Sequence, residues 1–389
     1  MWRLTSVAEA KRVYVAIVGC GFVADYYVET LTAYPWIRVA GVYDIDGERL
    51  DAFASYYRLD KYKSLEEILG DERVSIVINL TNPRSHYEVS RRCLEAGRHV
   101  YSEKPLAMSY EDSENLVMLA ESRGLVISSA PCNLLGNAAQ TLWRGVRDGV
   151  VGDVRLVYAE LDDGMTHLMP YKRWRSKSGA PWPYKDEFEV GCTLEHAGYC
   201  LGWLMAIFGP VKTVTAYSDC LIPEKITGEM LDPPDTPDFS MGALKFESGV
   251  VARLTTSIVG PHDHSIRVIG YRGVMEIDDC WFNNAKVYVR KLHTIRRKTF
   301  LSPVRSVFKV AGAPKRQPAD TGGKRMDFAA GVAELAESVM QGRPCRLSPR
   351  FSLHVTEVSL ALQGAGTTAR SYDTRSRFEA IPPLDWARS

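Results

Sequence analysis

The fold of this chain is decided by the ten residues VAIVGCGFVA at positions 15–24. An apolar run leads into a Gly-x-Gly-x-x-Ala turn, which is followed by a stretch typical of a helix. Gly19 permits a tight turn out of a strand, and Gly21 has no Cβ, so the backbone can approach a pyrophosphate. Ala24 keeps the third position small where the helix packs against the strand. The stretch therefore predicts a strand, a turn and a helix that together bind a dinucleotide.

An acidic residue follows the next predicted strand, Ile37–Tyr43, at position Asp44. A carboxylate there can accept hydrogen bonds from both ribose hydroxyls of NAD and repels the 2′-phosphate of NADP. Two alternatives stay open: Asp44 is a turn residue before Asp46, or Arg49 accommodates NADP. The sequence favours NAD, with NADP as the less favoured cofactor.

Length and composition set limits on the function. At 389 residues two domains are expected, at 1–132 and 133–389. The net charge of +1 argues against a nucleic-acid or membrane-surface binder. No apolar run approaches the length that spans a bilayer, and no signal peptide is expected before residue 13. Eight scattered cysteines indicate reduced core residues of a cytoplasmic protein.

The pattern of elements changes along the chain. Over the first ~130 residues strands and helices alternate, which predicts a parallel sheet covered by helices. From about position 151 β-type runs follow one another and indicate an antiparallel sheet. A basic stretch at 291–320 is expected to be a solvated loop. The predicted strands of the second part are 155–161, 211–217, 240–246, 250–258, 265–269, 274–277 and 286–289, and the predicted helices are 193–208, 328–340 and 349–368.

A second motif is HVYSEKP at 99–105. It predicts a strand that ends at Lys104. Pro105 then fixes the direction of the backbone after this lysine. A lysine beside a bound nicotinamide can hydrogen-bond a substrate hydroxyl or take part in a proton relay. Lys104 is therefore the first candidate for catalysis, and Glu103 orients Lys104 or the cofactor. The alternative is that Lys104 is an ordinary surface lysine.

Together these motifs resemble the glucose–fructose oxidoreductase / inositol dehydrogenase / rhizopine catabolism family (Gfo/Idh/MocA) over nearly the whole chain. The resemblance implies an N-terminal Rossmann domain that binds a nicotinamide cofactor and a cis peptide before Pro105. It implies a C-terminal α+β domain, an open antiparallel sheet with helices on one face, whose last helices can pack back on the first domain. It also implies hydride transfer at a sugar or polyol carbon and a homodimer or homotetramer. The matching residues are the Gly19 turn, TNP at 81–83 with His86, AGRHV at 96–100 before EKP, and GRP at 342–344 before His354 and Glu357.

The predicted cofactor site combines the glycine turn, the strand ends and the EKP motif. The helix after the turn offers free N–H groups to the phosphates. The residues expected to bind the cofactor are Gly19, Gly21, Phe22, Val23, Asp44, Thr81, Asn82, Pro83, His86, Glu103 and Lys104.

The second catalytic element of this family is an Asp-x-Gly-x-His pattern on a helix. Here the matching stretch is HAGYC at 196–200, with His196 in place of the aspartate and Cys200 in place of the histidine. Of the two, only His196 has a pKa suited to proton transfer near neutral pH. One hypothesis gives His196 the acid/base role, paired with Glu195 or Tyr199. The other makes it a structural or substrate-contacting residue, with Lys104 or a tyrosine as the base.

The segment 169–189 is rich in basic and aromatic residues. Aromatic rings stack on sugars or bases and arginines clamp phosphates or carboxylates, which favours a nucleotide sugar or an acidic sugar. The alternative is a solvated loop whose tryptophans pack on the domain below. His262 and His264 suggest a metal, but without a third ligand no metal site is predicted. The candidate substrate residues are His167, Arg173, Trp182, Tyr184 and Tyr199.

Three functions follow from this pattern. The favoured one is an NAD-dependent oxidoreductase that acts on a ring carbon of a nucleotide-linked sugar or glycoside, preferably C3, with Lys104 and His196 in proton transfer. The second is an enzyme whose NAD cycles internally, so that the net reaction is epimerisation, elimination or glycoside cleavage. The third is a non-catalytic cofactor sensor, against which the presence of Lys104 argues.

Overall fold

The computed structural model describes residues 12–226, 229–314 and 326–388, so the prediction that no signal peptide precedes residue 13 concerns mainly residues outside this description. The first part of the chain forms a five-stranded parallel sheet. Its strands are β1 (Val13–Val18), β2 (Ile37–Tyr43), β3 (Val74–Asn79), β4 (His99–Ser102) and β5 (Ile127–Ser129), in the spatial order β2-β1-β3-β4-β5.

Helices connect these strands and cover the sheet. They begin at residues that cap them: the Asp46 side chain accepts hydrogen bonds from two N–H groups of the next helix, and Ser64 and Ser109 each accept one. The helices are α1 (Ala24–Leu31), α2 (Gly47–Tyr57), α3 (Leu65–Gly70), α4 (His86–Glu95) and α5 (Tyr110–Ser122). The alternation predicted from the sequence is confirmed, and the carboxyl ends of β1, β2, β3 and β4 share one edge of the sheet.

The second part of the chain forms a ten-stranded sheet. Its strands are β6 (Val154–Asp162), β7 (Val211–Asp219), β8 (Phe239–Phe246), β9 (Val251–Ser257), β10 (Ile266–Gly270), β11 (Gly273–Ile277), β12 (Val287–Ile295), β13 (Lys298–Leu301), β14 (Ser306–Phe308) and β15 (Ser371–Asp373). The main order is β13-β12-β11-β10-β6-β9-β8-β7-β15, and β14 also pairs with β12. All these pairs are antiparallel except β6 with β9. That pair is parallel because the chain leaves β6 through helices and returns by the β7-β8-β9 meander.

Among the described residues of this part of the chain there are six further helices. They are α6 (Asn137–Arg147), α7 (Tyr184–Val190), α8 (Cys192–Phe208), α9 (Ala330–Gln341), α10 (Pro349–Gln363) and α11 (Asp385–Arg388). α8 is buried along almost its whole length and lies against the sheet and α10. No helix among the described residues is long and apolar enough to cross a membrane.

The segments around α9 and α10 pack against the parallel sheet and its helices. The N–H of Ser129 donates to the hydroxyl of Ser352 at 3.1 Å, and the hydroxyl of Tyr34 donates to Asp327 at 2.7 Å. The division of the chain at 132/133 stays a prediction.

The helices α6, α7 and α11 and the strand β15 were not predicted from the sequence. Two predicted segments also differ from the structure. The basic stretch expected as a loop contains the end of β12, all of β13 and all of β14, while its residues 315–320 lie outside the described part. Most side chains of this edge hairpin are exposed and several are charged, so its composition is that of a loop. The last predicted helix, 349–368, ends at Gln363 and is followed by a short 3₁₀ turn.

Candidate active site

The glycine turn after β1 leaves a cradle that a dinucleotide phosphate fits. Gly19 has a φ of +97°, and a Cβ on it would lie 2.5 Å from the carbonyl oxygen of Leu80. A Cβ on Gly21 would meet no described atom within 4 Å, so open space adjoins the backbone there. α1 begins at the buried Ala24 directly after Phe22 and Val23, so its N-terminal end, where a helix favours an anion, adjoins the turn.

Asp44 closes this turn from the end of β2. Its Oδ2 accepts a hydrogen bond from the N–H of Cys20 at 2.8 Å, and its Oδ1 accepts one from the N–H of Asp46 at 2.8 Å. The Arg49 guanidinium lies 3.5 Å from Oδ2. Asp44 is therefore a turn residue whose carboxylate lies against the glycine turn, and the residues present fit a nicotinamide dinucleotide.

The predicted cofactor loop at 81–83 is stabilised by its own side chains and by His86. Asn82 caps a short 3₁₀ helix that begins at Pro83, and the Thr81 hydroxyl donates to Oδ1 of Asn79 at 2.7 Å. The ring nitrogens of His86 lie 2.7 Å from the carbonyl oxygen of Pro105 and 3.0 Å from that of Thr81. Burial lowers the pKa of His86. The sequence predicts that His86 binds the cofactor; the structure buries the ring completely, where it ties two loops of the site together.

The EKP motif places a buried lysine beside a buried carboxylate. The Tyr27 hydroxyl donates to Glu103 at 2.6 Å, and the N–H of Lys104 donates to the same carboxylate at 3.1 Å. The Lys104 ammonium donates to Glu195 of α8. The peptide before Pro105 is cis, as the resemblance implied. Lys104 is thus held at the carboxyl end of β4 and is only 18% exposed in its side chain, which excludes the surface-lysine alternative.

Two carboxylates beside this lysine, those of Glu195 and Glu187, set its protonation. Burial alone would lower the pKa of Lys104, but the carboxylates of Glu195 and then Glu187 outweigh it and raise the pKa. Burial raises the pKa of Glu195 to about 7, although Lys104 opposes this shift. The site therefore keeps a cation at Lys104, while burial works against the charge of its partner Glu195.

His196 pairs with a carboxylate that the sequence analysis did not single out. Its Nε2 lies 2.9 Å from Oε1 of Glu187 on α7 and 3.9 Å from Oδ2 of Asp163 after β6. Burial lowers the pKa of His196, but Glu187 outweighs it and the pKa is raised. Glu195, one of the two suggested partners, pairs with Lys104 instead.

Aromatic rings pack around this histidine. The Trp281 ring lies 5.9 Å from the His196 ring and 4.6 Å from the Tyr199 ring, measured between centroids. Tyr199 is 7% exposed, so it contributes an aromatic wall rather than the partner of His196. Cys200 is fully buried, with its Sγ 3.8 Å from that of Cys280, so its thiol does not reach the site.

The segment 169–189 divides into parts with different surroundings. Trp182 and Tyr184 pack with Tyr171, Trp174 and Phe188 in a separate aromatic cluster, which matches the packing alternative for the tryptophan. Arg173 is exposed and lines a surface cavity of about 450 Å³. His167 is partly buried in the loop between β6 and α7. Only Tyr199 among the five predicted substrate residues lies directly beside Trp281 and the His196 pair.

The segment 169–189 also contacts the first helix of the parallel-sheet part, α1. The N–H and hydroxyl of Ser178 both donate to Asp25 of α1 at 2.8 Å, and Lys177 pairs with Glu29 at 2.9 Å. The segment therefore contacts α1, the helix that follows the glycine turn.

Sequence reasoning missed three residues of the site: Asp163, Glu187 and Trp281. Glu187 and His196 lie on different helices, separated by Gly191 with φ +97°, so helical spacing could not pair them. The one available signal was the pair of acidic residues Asp186 and Glu187 shortly before α8. Trp281 reaches the site from the chain after β11, more than eighty residues away, and has no local signal.

Comparisons with known proteins agree with this architecture. A family model described as "Oxidoreductase family, NAD-binding Rossmann fold" matches residues 13–130, and the "GFO/IDH/MocA C-terminal domain" model matches residues 139–276. Trans-1,2-dihydrobenzene-1,2-diol dehydrogenase of Mus musculus is 26% identical over 269 residues, which are 68% of this chain and 74% of that protein.

Solved structures share the fold at lower identity. UDP-N-acetylglucosamine 3-dehydrogenase from Acidithiobacillus ferrooxidans has a TM-score of 0.66 at 18% identity, covering 92% of this chain and 98% of that one. A 3-ketoreductase from Actinomadura kijaniata, in complex with TDP-benzene and NADP, has a TM-score of 0.66 at 18% identity, covering 91% and 98%. At these identities the likeness shows the fold alone.

Proposed function

Because the chain belongs to the GFO/IDH/MocA family of NAD-binding oxidoreductases, we propose that it transfers a hydride between a nicotinamide dinucleotide and a CH–OH carbon of a sugar ring. The observation that carries this proposal is the buried Lys104, held by Glu195 at the same sheet edge as the cradle beside Gly21. Glu195 offsets the cost of burying this cation, so the ammonium is kept charged where a substrate oxygen can replace the carboxylate.

Lys104 would act on the substrate oxygen. In the oxidation direction its ammonium hydrogen-bonds the hydroxyl and stabilises the negative charge that develops as the proton leaves. Glu103 fixes the backbone of the lysine, and Glu195 holds the ammonium until substrate binds. Glu103 and Glu195 are positioning residues in this scheme.

His196 would move the proton. With Nε2 facing Glu187, the other ring nitrogen, Nδ1, is buried and has no hydrogen-bond partner among the described residues. Nδ1 takes the hydroxyl proton in oxidation and returns it in reduction, while Glu187 stabilises the imidazolium. The CH–OH group thus loses the proton on its oxygen to His196 and the hydrogen on its carbon as a hydride.

The cofactor would be held by the glycine turn, Asp44 and the loop at 81–83. When bound, the nicotinamide accepts or supplies the hydride. NAD is favoured over NADP because the Asp44 carboxylate, fixed by two backbone N–H groups, repels a 2′-phosphate. Arg49 works against this preference, since its guanidinium lies beside that carboxylate.

The substrate we propose is a nucleotide-linked sugar or a glycoside, with C3 as the reacting carbon. The exposed cation of Arg173 on the loop that borders the site supports a substrate with an anionic group. Two proteins of the same fold carry 3-dehydrogenase and 3-ketoreductase names, and one of them holds a nucleotide ligand. A dehydrogenase for a dihydrodiol among the sequence relatives makes a non-sugar vicinal diol the principal competing substrate.

A homodimer or homotetramer is part of the same proposal. Alternate residues of β8 are exposed, and Met241 on this strand is 46% exposed. An open sheet face of this kind is a suitable contact between copies. Light scattering after gel filtration measures the mass, and a monomer at micromolar concentration would contradict this part.

The experiment that tests the function measures reduced nicotinamide at 340 nm. Stoichiometric protein is mixed with NAD or NADP and then with nucleotide sugars, free sugars, glycosides, inositols and a dihydrodiol. We expect reduction with one substrate class, and product analysis by NMR identifies the oxidised carbon. Substrate conversion without net reduction would point to internal cycling of the cofactor, and no conversion in either direction despite cofactor binding would contradict the proposal.

Two variants make the result specific to the site. Lys104→Met should lower kcat by about 10²–10⁴-fold while cofactor binding is retained. Lys61→Met makes the same change at a lysine that pairs with Asp51 on the surface and should leave kcat unchanged.

A further inference from the structure

We propose that Asp163, His262 and His264 bind a divalent transition-metal ion at the edge of the active site. One ligand atom from each of these side chains can be chosen so that all lie within 4.8 Å of one another. Two imidazoles and one carboxylate form a donor set typical of Zn²⁺ and of Fe²⁺ or Co²⁺. Tetrahedral ligands at about 2.1 Å from an ion are about 3.4 Å apart, so small side-chain rotations complete the site.

The sheet brings the three residues together. Asp163 directly follows β6, and His262 and His264 precede β10, its antiparallel neighbour. Between them, Asp162 and Asp263 exchange two backbone hydrogen bonds of 2.9 Å. This pairing fixes His262 and His264 on either side of Asp263, and their rings lie 4.1 Å apart between centroids. The ligands therefore flank a single antiparallel bridge where the ends of β6 and β10 meet.

His264 has the orientation expected of a metal ligand. It is 1% exposed, yet neither ring nitrogen makes a hydrogen bond within the described part of the chain. Its Nε2 lies 3.3 Å from Oδ1 of Asp163, and its Nδ1 lies 3.7 Å from Oδ1 of Asp279. Metal-binding histidines commonly give their second ring N–H to a carboxylate, which fixes the ring and strengthens the ligand. Asp279 is placed to be that carboxylate, which leaves the Nε2 lone pair facing Asp163.

The ion would have open coordination positions toward the substrate. His262 is exposed and the Asp163 side chain is 28% exposed, whereas His264 is covered by the Trp281 ring at 4.6 Å. Three protein ligands leave at least one position for water or a substrate oxygen. Asp163 also lies 3.9 Å from the His196 imidazole. The ion would therefore orient a substrate hydroxyl next to His196, a role that rests on the proposed function, whereas metal binding itself does not.

Metal binding is measured on the full chain after treatment with a chelator. Titration with Zn²⁺ in a calorimeter should give one equivalent per chain. Co²⁺ should produce the visible absorption of a four- or five-coordinate nitrogen–oxygen site, without the intense near-ultraviolet bands of thiolate ligands. This spectrum separates the proposed site from the eight cysteines.

The variants test each part of the site. His262→Ala changes an exposed residue, so the fold should survive, and the affinity for Zn²⁺ should fall at least tenfold. Asp163→Asn should have a similar effect, and Asp279→Asn should weaken binding by about 10–100-fold through the second ring nitrogen of His264. The matched control is His293→Ala, an exposed histidine on the edge strand β12, which should change nothing.

The proposal is overturned if the wild-type chain binds less than about 0.1 equivalent, or if His262→Ala and the wild type bind equally. A chain that binds one equivalent but reduces no nicotinamide with any substrate would keep the metal site and contradict the proposed function. A chain that is fully active after chelation and takes up no added Zn²⁺ would keep the proposed function and contradict the metal site.

Discussion

Removing the charge of Lys104 tests the buried charge network most directly. Lys104→Met keeps the length of the side chain and removes the ammonium that donates to Glu195. The two side chains are 18% and 5% exposed, so solvent compensates little of the loss. Burial raises the pKa of Glu195 to about 7 even in the presence of Lys104. In the variant we therefore expect Glu195 to be mostly protonated in the folded protein at pH 7.

The magnitude follows from proton linkage. The ordinary pKa of Glu195 is 4.5, and Lys104→Met removes the charge that opposes its rise in the folded protein. From pH 4.5 up to at least about 7, the folded variant therefore keeps a proton on Glu195 that the unfolded chain has lost. Because this folded-state pKa is raised, stability is lost as pH rises through that window, at about 1.4 kcal/mol for each pH unit. The total is about 3 kcal/mol. Lys104→Met/Glu195→Gln lacks the titrating group and should not show this loss.

Urea unfolding at pH 5, 6 and 7 measures the difference. We expect the unfolding free energy of Lys104→Met to fall, relative to the double variant, by about 2–3 kcal/mol from pH 5 to pH 7. Lys61→Met, the surface control, should follow the wild type at each pH. If the single and double variants change in parallel with pH, Glu195 is not left without its counter-ion, and the account of the network is refuted.

Three further predictions concern the cofactor turn and α10. Asp44→Ser should raise the ratio of kcat/KM for NADP to that for NAD at least tenfold, since Arg49 remains; an unchanged ratio would contradict the role of the carboxylate. Gly19→Ala should lower the melting temperature, because its Cβ would lie 2.5 Å from a carbonyl oxygen. Gly21→Val should leave the melting temperature unchanged but abolish cofactor binding, which calorimetry measures. Burial alone would raise the pKa of Glu357, but hydrogen bonds hold it at about 2. Glu357→Gln should therefore destabilise the fold by about 2–3 kcal/mol above pH 5, and the difference should shrink as pH falls through 4.5 toward 2. A difference in the free energy of unfolding in urea that does not change with pH would contradict this prediction.

The parts of the fold that depend on local patterns could be predicted from the sequence. Gly19 requires a positive φ, and β1 is apolar because it is buried on both faces, so both signals lie within a few residues. The second sheet was less predictable. The parallel pairing of β6 with β9 depends on where the β7-β8-β9 meander returns, and no local pattern encodes it.

The candidate site shows the same limit more sharply. Lys104 could be found because its motif is continuous in sequence, whereas its partner Glu195 lies 91 residues further along the chain. Glu187 and Asp163 meet His196 from a different helix and from the end of β6. Such contacts follow from tertiary packing, which the spacing of residues along one helix does not report.

The exchange of residues on α8 has a physical explanation in this geometry. The related pattern has an aspartate at position 196 and a histidine at 200, whereas this chain has His196 and a buried Cys200. The structure nevertheless contains a carboxylate–imidazole pair, because Glu187 on α7 supplies the acid that position 196 no longer provides. The thiol of Cys200 faces Cys280 inside the protein, so the side chain at position 200 points into the core. Under the proposed function, the imidazole that takes the proton therefore lies one helical turn earlier on α8, 3.9 Å from Asp163 of the proposed metal site.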